Sequence, residues 1–149
     1  MPSSALEKLV TDIDTAIVAS GSFTDLTIYV IDLDEDEEAD YEFVVPNIIY
    51  GVDAIPTDYF MDGTRMMSAD VAVTVNVSEF DTINSLTRKK CVNYILDLLQ
   101  ETLDAMTFST VTPIEFSTTG GQSASKVAVA EDEFVYRGGV TMNVQYLDD

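Results

Sequence analysis

Asp32, Asp34 and Asp36 alternate along an acidic run. This is the spacing with which a calcium loop presents its first, third and fifth ligands. The remainder of such a loop is missing. The sixth position, where the sharp turn needs Gly, is Glu37, and the twelfth, where a bidentate Glu closes the shell, is Phe43. The run Asp34, Glu35, Asp36, Glu37, Glu38 and Asp40 is therefore expected to be a solvated loop, or else an acidic lining or partner surface.

No histidine occurs. That removes Ser-His-Asp and Cys-His catalysis, imidazole metal sites and imidazole acid–base chemistry together. Carboxylates remain, but no two stand in environments that would drive their pKa values apart. Cys91 is the single cysteine, so no intrachain disulfide and no multi-cysteine zinc site can form. It falls on an apolar helical face and is expected to be a buried structural thiol. Gly120-Gly121 lacks the Lys and Ser/Thr of a phosphate loop and any dinucleotide fingerprint. The expectation is a protein that is not an enzyme, with no catalytic residues, no metal and no cofactor.

Two clusters suit contact rather than catalysis. Arg88, Lys89 and Lys90 are three of only seven basic residues. They sit in the first turns of a helix, where the macrodipole prefers anions, while Glu101 and Asp104 sit near its other end, where it prefers cations. They form a wet face, or a basic patch that meets acids on another subunit. Tyr59, Phe60, Met66 and Met67 belong to the core by default. With Asp58, Asp62 and Arg65 beside them, they also suit an adaptable contact surface.

The elements that position these residues follow from periodicity. Ser4 to Glu7 has capping-box spacing, and Leu6, Leu9, Val10, Ile13 and Ile17 line one face, predicting a helix over about 4–20. Residues 26–33 are apolar on both faces and predict a central strand. Residues 41–50 predict a strand with an edge or bulge at Pro46. Residues 53–68, with the tight-turn pair Asp62-Gly63, predict an excursion, an extended loop or hairpin. In 70–78 the valines alternate with polar or small residues, giving a half-buried strand. A helix over about 84–106 carries Val92, Ile95, Leu96, Leu99, Leu103 and Met106 on one stripe, widened by Leu86, Cys91 and Leu98. Strands over 111–116, 126–130 and 134–146 close the chain, with 117–125 as a polar loop. In the last strand the apolar residues keep phase across Gly138-Gly139, which argues against a bulge and for a close neighbour. Asn76-Val77-Ser78 matches a glycosylation acceptor, but no secretory signal precedes it. The fold class is α+β: one domain over 1–149, a mixed or antiparallel sheet packed against two amphipathic helices.

Length and charge set limits on function. The chain has 149 residues, 46% of them hydrophobic, enough for a core without staples. Its start has neither a basic nor an apolar signal segment, and no stretch reaches the roughly 18 apolar residues of a membrane helix. No membrane partner is expected, and synthesis in a cytoplasm is. A net charge of −20 repels nucleic acid and anionic lipid. It suits solubility, a salt-rich habitat, or a surface that stays beside DNA without holding it.

This outline resembles the tail-terminator and tail-completion (neck) proteins of long-tailed bacteriophages. The resemblance rests on the N-terminal amphipathic helix, the strand and hairpin, the valine strand running into the long helix, and the aromatic-bounded closing strand from Phe134 to Tyr146. It implies a structural virion protein located in the tail or neck and made in the host cytoplasm. Such a protein assembles as a homo-oligomeric ring, a hexamer, on the tail tube protein and meets a head-completion or neck protein. DNA passes through without specific binding. Under this resemblance the acidic run lines the lumen or faces a partner. Arg88, Lys89 and Lys90 offset self-repulsion between subunits, and residues 53–68 form an arm. Six copies at −20 each bring about 120 negative charges together, so screening should aid assembly. The alternatives are another neck or tail-tube component, or a stand-alone acidic protein-binding or DNA-mimic domain.

Overall fold

A computed structural model describes residues 4–21, 23–31, 45–59, 61, 63–108, 112–130 and 133–148. Two helices, α1 (Ser4–Ala19) and α2 (Arg88–Asp104), pack on one five-stranded sheet. The strands are β1 (Thr27–Ile31), β2 (Asn47–Tyr59), β3 (Arg65–Ser78), β6 (Thr112–Ala130) and β7 (Glu133–Asp148), in the order β1-β2-β3-β7-β6. A two-stranded ribbon of β4 (Thr82–Ile83) and β5 (Leu86–Thr87) precedes α2. The β1–β2 pairing is parallel and the rest antiparallel, which makes a mixed sheet in a single-domain α+β fold.

β3 organises the molecule. Its odd residues from Met67 to Val77 are buried, together with Ile48, Tyr50 and Val52 of β2 and Val140, Met142, Val144 and Tyr146 of β7. Because strand side chains alternate, all of these project to one face, and the helices cover that face. α2 contributes Cys91, Val92, Ile95, Leu96, Leu99 and Leu103, and α1 contributes Leu9, Ile13 and Ile17. Burial pushes the Cys91 thiol above its usual value, and the charge of Asp81 adds to this, while a backbone hydrogen bond at Ile83 pulls the other way. Tyr50 is likewise held protonated, first by burial, then by the charge of Asp14, whose carboxylate also accepts a bond from its hydroxyl at 3.4 Å.

Several elements differ from expectation. Residues 27–31 form an edge strand among the described residues, not a central one. They pair in parallel with β2, and Ile28 is half-buried against the core. The strand expected over 41–50 is described from Asn47 and runs on to Tyr59; residues 41–44 lie outside the described structure. Pro56 is tolerated because, beyond Gly51, β2 pairs on one side only among the described residues, and the register shifts between Pro56 and Asp58. The expected excursion, an extended loop or hairpin, is the β2–β3 hairpin, and its second strand pairs with β7 along its whole length. α2 begins at Arg88, not near residue 84. Asn84 and Ser85 have φ of 54° and 63°, the left-handed pair of a two-residue hairpin turn, and Leu86 falls in helical phase by coincidence. The expected polar loop 117–125 is strand. β6 is continuous, with register shifts between Thr119 and Gln122 and between Gln122 and Ser125. A backbone ladder needs no apolar side chains on a solvated edge.

Gly138-Gly139 keeps register with β3, as the phase of β7 predicted. A Cβ at Gly139 would stand 3.2 Å from the Val73 carbonyl oxygen, so the glycine permits that approach. On the sheet face away from the helices, Asn47, Asn76 and Arg137 are cross-strand partners on β2, β3 and β7. The Asn76 amide donates to Asn47 Oδ1 at 2.9 Å, and Arg137 Nε donates to Asn76 Oδ1 at 2.6 Å. Asn76 is 3% exposed, which closes the acceptor motif to glycosylation.

Replacing Asn76 by Ala removes its bonds to buried Asn47 and to Arg137. The expected loss is about 1–3 kcal/mol in urea unfolding; an unchanged midpoint and slope would show that the ladder carries no stability.

Candidate assembly surface

The topology gives the molecule two unlike ends. β3 runs from the β2–β3 hairpin turn to Ser78, and α2 then runs back over the sheet from the Ser78 end. Its C-terminus reaches the middle of the sheet, where Asp104 lies beside Thr118, which pairs with Met142 opposite Val71.

At the Ser78 end a tight turn presents Phe80, 85% exposed. The turn is held by its own side chains. Asp81 Oδ2 accepts from the Ser78 amide at 2.7 Å, the Asp81 amide donates to the Ser78 carbonyl at 3.3 Å, and the Phe80 amide donates to Ser78 Oγ at 3.2 Å. Arg88, Lys89 and Lys90 follow, all exposed. Arg88 has φ of 56°, and no side-chain cap closes this helix end. On the neighbouring strands Lys126 Nζ sits 4.4 Å from the ring centre of Phe134, which is also exposed.

The hairpin end differs in kind. Met61 is fully exposed in the turn, and Ile55 and Ile114 are exposed nearby. Gly63, with φ of 90°, lets the chain reverse. Glu115 is exposed on β6. The α2–β6 connection is fixed by Phe108 and Phe116, edge to face at 5.0 Å, and by Thr118 donating to Asp104.

Between the ends, the sheet face opposite the helices is hydrophilic. Asp70, Ala72, Thr141, Ser117 and Ser125 are exposed on it. Asn143 donates to Asp70 Oδ1 at 2.9 Å and to Ser68 Oγ at 3.2 Å, knitting β7 to β3. Arg137, the cation on this part of the face, is bound to Asn76.

The structure thus brings Arg88, Lys89 and Lys90 together on one exposed surface. It places Met67 in the core and leaves Met66 half-buried, while Tyr59 ends β2. Asp34, Glu35, Asp36, Glu37, Glu38, Asp40 and Phe60 lie outside the described residues. Phe80 escaped sequence reasoning, and Met61 was placed in the 53–68 excursion but not among the candidate contacts. The one available signal for Phe80 was its place just beyond the strict alternation of β3, between Glu79 and Asp81. Among the described residues no group of three or more His, Cys, Asp or Glu is placed to hold a metal ion, and no helix is long and apolar enough to cross a membrane. The chain matches no protein-family model and no curated protein.

α2 has no acid in its first turn and no base in its last. Each reversed charge opposes the macrodipole by roughly 0.3–1 kcal/mol at low salt. The double exchange Lys89→Glu with Glu101→Lys keeps net charge constant, so it should raise stability by about 1 kcal/mol in low-salt thermal unfolding. A lowered Tm would mean these charges serve the fold of the monomer.

Proposed function

We propose that this chain is a structural virion protein, a ring-forming tail terminator that caps the tail tube of a long-tailed phage and joins it to the neck. The observation that carries the reading is the two-faced sheet. Both helices cover one face, and the other offers a hydrophilic stretch across β3, β7 and β6 whose one cation among the described residues is Arg137, its Nε turned to Asn76. A ring wall that DNA slides along should offer few free cations, because each phosphate contact made by Lys or Arg adds retention. The order of α1, the β2–β3 hairpin, α2 and the closing strand β7 also agrees with the resemblance. A hexamer, a tube protein on one side and a neck protein on the other complete the proposal.

A second reading draws on α2, where Asp97, Glu101 and Asp104 are exposed at helical spacing. Such a stripe suits a stand-alone acidic domain that occupies a DNA-binding surface of a basic protein.

Native mass measurement over a salt series separates them. The Debye length falls from about 30 Å at 0.01 M to about 10 Å at 0.1 M, which relieves the repulsion among subunits at −20 each. The ring reading predicts a discrete closed oligomer that strengthens over this range. A monomer at every salt and concentration that also displaces DNA from a basic protein would replace the ring with the mimic.

A further inference from the structure

We propose that Asn84 is a modification site: the β4–β5 turn deamidates of its own accord, leaving an aspartate or isoaspartate just ahead of α2. The reaction consumes only water. The backbone nitrogen of Ser85 attacks Asn84 Cγ, a C–N bond forms, and the side-chain nitrogen leaves as ammonia. The resulting succinimide adds water and reopens. Breaking the Cγ–N bond restores the chain as aspartate, and breaking the bond to the backbone carbonyl reroutes it through Cγ as isoaspartate.

The attack requires a small residue after the asparagine, because a branched or bulky side chain crowds the attacking nitrogen. Of the five asparagines, Asn84 alone is followed by one. Asn47, Asn76 and Asn143 precede Ile48, Val77 and Val144, and Asn93 precedes Tyr94. The structure separates them in the same direction. Asn47 and Asn76 are buried and bonded to each other. Asn143 donates to Asp70 and Ser68, and Asn93 Oδ1 accepts from the Ala124 amide at 3.4 Å. These four lie within long strands or α2, whereas Asn84 and Ser85 are exposed in a turn.

The turn also supplies the freedom that the chemistry needs. β4 and β5 pair only at Thr82–Thr87 and Ile83–Leu86, and a ribbon that short opens at low cost. Asn84 stands at φ 54°, a backbone that Asn and Asp share, so aspartate keeps the turn. Isoaspartate adds a backbone atom inside a two-residue turn and breaks the Ile83–Leu86 pairing. Either product adds one negative charge four residues before Arg88. The inference does not depend on the ring reading.

The test incubates the folded full chain in mildly alkaline buffer beside a synthetic peptide spanning Ser78 to Lys90, and reads tryptic fragments by mass spectrometry. The fragment from Met66 to Arg88 should gain the mass of an amide-to-acid change, located at Asn84 by fragmentation. Labelling with an isoaspartyl methyltransferase should mark the same fragment. In the folded chain Asn84 should convert about tenfold or more faster than any other asparagine, and within about tenfold of the peptide. Ser85→Val strains the left-handed turn and so loosens it, yet should slow conversion, because crowding at the nitrogen outweighs opening. An Asn84 that stays intact in the folded chain after the peptide has converted, conversion spread evenly over the five asparagines, or faster conversion in Ser85→Val would each overturn the assignment.

Discussion

Fourteen consecutive residues of β3 pair with β7 without a break in register, and much of the molecule depends on that pairing. A slip of one residue would turn the buried stripe of β3 to water and set Asp70, Thr74 and Asn76 against the helices. The pairing is protected from both faces. On the covered side, the stripe meets Val140, Met142, Val144 and Tyr146 beneath α2. On the open side, the Asn47–Asn76–Arg137 ladder and the bonds of Asn143 hold only in one register. Gly139 completes the constraint, because a larger residue would press on the Val73 carbonyl.

From that register come the two ends. The length of the β2–β3 hairpin carries Met61 away from Phe80. α2 sets Arg88–Lys90 at the Ser78 end and Glu101 and Asp104 over the middle of the sheet, where Asp104 meets Thr118. In an isolated helix this arrangement is unfavourable.

Legibility in the sequence followed side-chain periodicity. The α1 face, the valine stripe, the α2 stripe and the phase of β7 were all visible, because each buries one side against one partner. β6 was not, since a polar edge strand is held by backbone bonds that Ser117 to Ser125 make as well as apolar residues would. The extension of β2 past Tyr50 was not legible: Gly51, paired on both sides, and Pro56, paired on one among the described residues, carry no apolar alternation. The early start assigned to α2 came from Leu86, apolar and in phase yet part of β5. For the candidate surface, the basic triplet was plain in the sequence. Phe80 was not, because a single apolar residue in a turn has no periodic neighbours to mark it as exposed, and Met67 and Met66 differ in burial only through alternation.

The account stands or falls on which face of the sheet turns inward when copies assemble. Cryo-electron microscopy of the assembled protein at a resolution that separates helices from sheet reads this directly. The prediction is a closed ring whose hole is lined by the open sheet face, with Ala72 and Thr141 toward the lumen and α1 and α2 on the outside. A ring with the helices lining the hole, or an assembly without one, would contradict it.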